Sequence, residues 1–156
     1  ESEVGKGSVF TLRLPALAHK RSKSAEVAPD KLLNLQALIM DDNIAVRTVL
    51  VQLMGAMGCD TSECDDGAEA FELWSQARGL GRDFDVLVLD IEVPGGTGGV
   101  ETLRRIHQID PDARAIAISG YSSEGVMGNP ERYGFSAALK KPFTRASLHR
   151  VLQELA

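Results

Sequence analysis

The chain has 156 residues, 44% apolar and 25% charged, with a net charge of −5, values of an ordinary globular domain with its own core and some length to spare. Its longest apolar runs are far too short to cross a bilayer, and its two cysteines, Cys59 and Cys64, make neither a zinc set nor a disulfide framework, which suits a reducing, cytoplasmic setting. Residues 1–34 hold six Lys/Arg and four Asp/Glu, whereas residues 35–156 hold eleven and eighteen, and an acidic domain of that kind is a poor nucleic-acid binder.

Glu1 stands where a translated chain begins with Met, which gives the expectation of a piece cut from a longer protein. Residues 8–14 alternate and are β-rich, a strand stopped by Pro15. Residues 16–30 lack an apolar period and carry a basic cluster, His19 to Lys23, without interleaved aromatics. They read as a solvated linker. From Leu35 onward strands and helices alternate. A strand near 35–40 precedes a helix carrying Val46, Val49, Leu50, Leu53 and Met57, stopped by Gly58. A short strand near 59–63 leads to a helix capped by Asp66, carrying Ala70, Phe71, Leu73, Trp74 and Ala77, and ended by Gly79. A strand at 86–89 is followed by a glycine-rich loop, expected to be flexible, in which Thr97 is available to cap a helix with Val100, Leu103, Ile106 and His107. A strand at 115–118 comes next. Three glycines and Pro130 in residues 122–134 predict a short or irregular fourth helix with a mobile surface. A strand at 136–140 and a helix with Leu148, Val151, Leu152 and Leu155 complete the series. This (βα)5 alternation predicts an α/β fold, a doubly wound parallel sheet with helices on both faces.

Four of the apolar runs end in residues suited to phosphate chemistry. Ala37 to Met40 runs into Asp41 and Asp42, Val86 to Leu89 into Asp90, Ala115 to Ile118 into Ser119, and Ala137 to Leu139 into Lys140 and Lys141. In an open parallel sheet such ends converge on one edge, where ligands bind. Singly, each has a plainer reading: a turn or cap for Asp and Ser, a surface residue for Lys. Jointly they describe a site. Carboxylates about 4 Å apart repel by roughly 4 kcal/mol at an effective dielectric of 20, so the cluster calls for a cation or raised pKa values. A hard ion such as Mg2+ suits oxygen ligands and a phosphate, with Mn2+ as an alternative. An Asp nucleophile, a lysine and a hydroxyl complete the set.

Taken together, Leu38-Ile39-Met40-Asp41-Asp42-Asn43, Val88-Leu89-Asp90-Ile91-Glu92-Val93-Pro94-Gly95, Ser119-Gly120 and Lys140-Lys141-Pro142-Phe143 make residues 35–156 resemble a response-regulator receiver domain. The resemblance implies a flavodoxin-like sheet of order 2-1-3-4-5. It implies Asp90 as phosphoacceptor, Asp41 and Asp42 holding Mg2+ with Asp42 closer, and the Glu92 backbone carbonyl as a further ligand beside Asp90. Ser119 is then the switch hydroxyl and Lys141 the charge-balancing lysine. Gly5 to Pro15 resembles the last strand of a histidine-kinase ATP-binding domain. The implied organisation is a kinase remnant over 1–15, a linker over 16–34 and a receiver over 35–156, from a hybrid sensor histidine kinase that is itself cytoplasmic or membrane-anchored.

The implied function is phosphorelay: a phosphoryl group passes from a phosphohistidine of the cognate kinase to Asp90, then to a histidine phosphotransfer partner or to water. No nucleic-acid or membrane contact is expected of this piece, and homodimerisation stays open. Two other classes remain in view, a binding-only or dimerising pseudo-receiver and a Mg2+ phosphatase with an Asp nucleophile. The family pattern is broken at two positions. Glu92 places an acid two residues after Asp90, which is expected to raise Mg2+ dependence and alter phosphoaspartate lifetime. Ala138 stands where many receivers carry a switching ring, leaving Tyr121 or Tyr133 as substitutes. His19, His107 and His149 have no metal or catalytic spacing, so the phosphodonor histidine is expected elsewhere.

Overall fold

The computed structural model describes residues 2–3, 7–8, 33–120 and 124–155. The chain forms two units, Glu1–Asp30 and Lys31–Ala156. In the first, Ser2–Glu3 and Gly7–Ser8 pair as antiparallel strands. The strand expected over 8–14 lies outside the described residues beyond Ser8, as do residues 16–30 of the expected linker.

The second unit is a five-stranded parallel sheet. Its strands are β1 (Gln36–Met40), β2 (Asp60–Cys64), β3 (Val86–Asp90), β4 (Ala115–Ser119) and β5 (Ala137–Lys140). They lie in the order β2-β1-β3-β4-β5. The helices are α1 (Ile44–Gly55), α2 (Gly67–Gly79), α3 (Gly99–His107), α4 (Glu124–Gly128) and α5 (Arg145–Leu155).

Side chains alternate across a strand, so the apolar runs split between two cores. Ala37, Ile39, Val88, Ile116 and Ile118 pack with residues of α1 and α5, such as Leu50 and Leu148. Leu38, Met40, Leu87, Leu89 and Ala117 pack with residues of α2 and α3, such as Trp74 and Leu103. Every residue of β3 and β4 is buried, which is why those runs contain no polar residue before their last position. The edge strands differ. Asp60 and Glu63 on β2 are exposed, and charge on an edge opposes pairing with another sheet.

Local chemistry sets the helix starts. Asn43 caps α1 by accepting the Ala45 N–H at 3.0 Å, and Asp66 caps α2. The cap of α3 is Gly98, without a side-chain hydrogen bond; Thr97 does not cap it. The reason is steric: a Cβ at position 98 would overlap the Ile91 carbonyl, and one at position 99 would lie 2.7 Å from the Asp90 carbonyl. The fourth helix is five residues long and gives way to a 3-10 turn, Pro130–Tyr133, as glycine and proline content predicts. Trp74 of α2 is almost wholly buried.

Ile116 is fully buried in β4, in contact with the α1 and α5 side of the core. Ile116→Ala is expected to lower unfolding free energy by about 2–5 kcal/mol. Urea denaturation followed by circular dichroism measures this.

Candidate functional site

Strand register builds the site. Met40 pairs with Leu89, Asp90 with Ile118, and Ser119 with Lys140. The residues at and just beyond those ends therefore share one edge. Three backbone bonds continue the sheet by one step: Asp41 N–H to Cys64 O, Ile91 N–H to Ile118 O, and Lys141 N–H to Ser119 O at 2.7 Å.

The side chains converge as their spacing predicts. Asp41, Asp42 and Asp90 each offer a carboxylate oxygen, all within 4.8 Å of one another. Asp41 is fully buried, Asp90 nearly so, and Asp42 is exposed. The Lys141 ammonium lies 2.6 Å from Asp41 Oδ2 and donates to Asp90 Oδ2 at 2.7 Å. Asn43 N–H donates to Asp41 Oδ1 at 2.9 Å, and Glu92 N–H to Asp90 Oδ1 at 3.3 Å. Ser119 is buried at the end of β4. Glu92 is exposed.

Three acids and one ammonium leave this corner short of positive charge. Burial pushes the Asp90 carboxyl above its ordinary range, against the hydrogen bond from Lys141, and the neighbouring Asp41 charge pushes the same way. Burial alone would lower the Lys141 ammonium, but its bonds to Asp41 and Asp90 hold it above its ordinary range. A hard divalent cation fits the donor set: all three ligands are carboxylate oxygens, and exposed Asp42 opens the cluster to solvent. Asp41, Asp42 and Asp90 are the residues that would hold it.

Arg47 is a contributor that spacing did not single out. Its guanidinium donates to the Asp41 carbonyl at 2.6 Å and lies 3.6 Å from Glu63 on β2. It sits one turn beyond the Asn43 cap on α1 and is half-buried, a position to which no local sequence signal points. An apolar groove beside the site is lined by Ala45, Val46, Val49, Gly120, Lys141, Pro142 and Phe143.

The remaining candidates lie apart. Cys59 and Cys64 are free and buried, and burial pushes the Cys64 thiol up to about 12, so neither is a ready nucleophile. His107 Nε2 lies 3.0 Å from the Ala113 carbonyl, a structural contact at the end of α3. Ala138 is half-buried on β5. Tyr133 is 43% exposed, and its hydroxyl lies against Gly125; Tyr121 and His19 fall outside the described residues.

Comparison with known proteins bears on the whole assembly. The family described as the response regulator receiver domain matches residues 37–153. The chain is 30% identical over 168 residues to the sensor kinase CckA of Brucella abortus, covering 99% of this chain and 17% of that protein. It is 27% identical over 112 residues to the sporulation initiation phosphotransferase F of Bacillus subtilis, covering 72% and 86%. The chain thus spans about a sixth of the sensor kinase and most of the phosphotransferase. Among solved structures, the receiver domain of the sensor histidine kinase PA1611 from Pseudomonas aeruginosa superposes with a TM-score of 0.67 at 25% identity, covering 78% of this chain and 97% of that one, and holds a magnesium ion in its active-site cleft.

The electrostatics yield a stability prediction. An acid whose folded pKa is raised holds its proton more tightly when folded. Its contribution to stability is complete below the ordinary value of 3.8 and is lost as pH rises through the folded pKa. At pH 7 without divalent cation, the Asp90 carboxyl therefore opposes folding. Asp90→Asn is expected to raise the thermal midpoint by a few degrees, the scale on which about 1 kcal/mol moves a domain of this size. Differential scanning calorimetry in chelator measures it; an unchanged or lowered midpoint would show that Lys141 fully offsets the buried charge.

Proposed function

The chain belongs to the response regulator receiver domain family, and we propose that it accepts a phosphoryl group from a phosphohistidine onto Asp90. The observation that carries this reading is the Lys141 ammonium, shared at 2.6 and 2.7 Å between two buried carboxylates with a third beside them. An Asp90 oxygen attacks phosphorus; the P–O bond forms as the P–N bond breaks, and the imidazole leaves as the neutral base after taking a proton from solvent. Lys141 balances charge that builds on the transferred group, and the Glu92 N–H steadies the attacking carboxylate through Oδ1. Ser119 is buried at the neighbouring strand end, and on this reading its hydroxyl donates to a phosphoryl oxygen. Asp41, Asp42, Asp90 and the Glu92 carbonyl are the groups that would hold Mg2+, which would supply positive charge to the transferred group.

The groove beside Lys141 supports a docked partner. Val46, Val49 and Phe143 line it, and Ile44 and Val49 on α1 are 70% and 46% exposed. An apolar helical face carrying a phosphohistidine matches that surface. On this reading the donor is a cognate histidine kinase domain or a phosphotransfer protein. The same reading takes residues 1–15 as a kinase remnant and 16–34 as a linker, with the receiver as part of a hybrid sensor kinase.

Intact mass after incubation with acetyl phosphate and Mg2+ tests the proposal. One added phosphoryl group is expected on the native chain, with none in chelator and none on Asp90→Asn. No adduct under any condition would overturn it and leave a binding-only module.

A further inference from the structure

The glycine-rich segment after Asp90 is held to the start of α2, and the Asp66 side chain supplies one of the bonds that hold it. Asp66 Oδ1 accepts the Ala68 N–H at 2.6 Å, as a cap of α2, while its other oxygen, Oδ2, accepts the Thr97 N–H at 2.8 Å. Gly67 N–H then donates to Thr97 O at 3.0 Å. Thr97 is thus bonded on both its donor and its acceptor to the first turn of α2. Carboxylate acceptors make stronger hydrogen bonds than neutral ones. The Thr97 and Ala68 N–H groups also hold the Asp66 carboxyl below its ordinary range, so the acceptor is charged at neutral pH.

Packing leaves the segment little room to move away from that contact. A Cβ at Gly96 would overlap the Asp66 carboxylate, one at Gly67 would overlap Thr97 O and Thr102 Oγ1, and one at Gly98 would overlap Ile91 O. Thr102 is fully buried, and its hydroxyl donates to Gly98 O at 3.0 Å. Gly96 N–H donates to Val93 O at 3.1 Å, closing a turn within the segment. These glycines serve close approach, not the loop flexibility their number suggests. The far end of the segment is Glu92, whose N–H meets Asp90 Oδ1.

We propose that Asp66 is a positioning residue for the phosphoryl and metal site: by fixing Thr97 to the start of α2, it sets the backbone of residues 90–92 that aims the Asp90 carboxylate. This rests on the reading of Asp41, Asp42 and Asp90 as a Mg2+ site. Asp66 touches none of those residues; it acts through the segment. Groups that orient metal ligands from one layer out commonly alter affinity by about tenfold or more.

Asp66→Ser separates the clamp from the cap. Serine is a good helix cap, but its single short hydroxyl cannot bond Ala68 and Thr97 with two separate oxygens. NMR on both proteins follows two readouts: exchange of the Thr97 amide proton without metal, and the Kd for Mg2+ alone. The expected result is a folded variant whose Thr97 amide exchanges at least tenfold faster and whose Mg2+ Kd rises at least threefold. A Thr97 amide equally protected in both proteins, or a Kd changed by less than threefold, would overturn the clamp. Failure of the native chain to take up Mg2+ is a different result, counting against the site reading itself, and Thr97 exchange still reads the clamp. Should Asp66→Ser not fold, Asp66→Asn, which retains two side-chain heteroatoms but only one acceptor, takes its place under the same thresholds.

Discussion

Two carboxylates in the interior, Asp41 and Asp90, share one ammonium, Lys141, at 2.6 and 2.7 Å. A buried charge costs several kcal/mol unless it is paired and hydrogen-bonded. Here the pairing is incomplete by design of the sequence, because Asp42 adds a third carboxylate within 4.8 Å. Each neighbouring feature answers that constraint. Asn43 and Glu92 supply backbone N–H donors to the two buried acids, and Arg47 adds a cation at the Asp41 carbonyl. What remains unbalanced is a need for further positive charge at a solvent-open position, and a divalent cation meets it.

The fold makes this arrangement possible because a parallel sheet brings the ends of β1, β3, β4 and β5 to one edge. Every residue of β3 and β4 is buried, so their backbones are fixed by packing on both faces. A charge placed at the last position of such a strand inherits that rigidity, which is what a preorganised site requires. The Asp66 clamp extends the same logic to the irregular segment after β3, where no sheet is available to hold the backbone.

Much of this was legible in the sequence, for a physical reason. Double burial removes polar residues from β3 and β4, so their boundaries stand out, and the polar residues at the strand ends, Asp41, Asp90, Ser119 and Lys141, are the ones proposed for the site. The strand order follows from the family resemblance and agrees with the sheet observed. Less legible were contacts between segments distant in the chain. Thr97 reads as a helix cap, because Thr before a glycine pair and an apolar period suits that role. The structure bonds its backbone to α2, 31 positions from Asp66, a separation that local pattern cannot register. Arg47 was obscured in the same way: its partners are a carbonyl at the strand end and Glu63 on the neighbouring strand. The glycines of 95–99 suggest mobility, whereas Gly95 takes a left-handed φ of 76° and Gly96, Gly98 and Gly99 are demanded by the close approach of the Asp66 carboxylate and the Ile91 and Asp90 carbonyls.

The most direct test of the charge-deficit account is calorimetric titration of Mg2+ into the native chain and into Asp42→Ala, at neutral pH and fixed ionic strength. The account predicts one ion per chain for the native protein, with affinity weakened roughly tenfold or more in the variant, which keeps the buried pair and its lysine but loses the open ligand. Equal affinity in the two proteins, or no binding to the native chain, would contradict it.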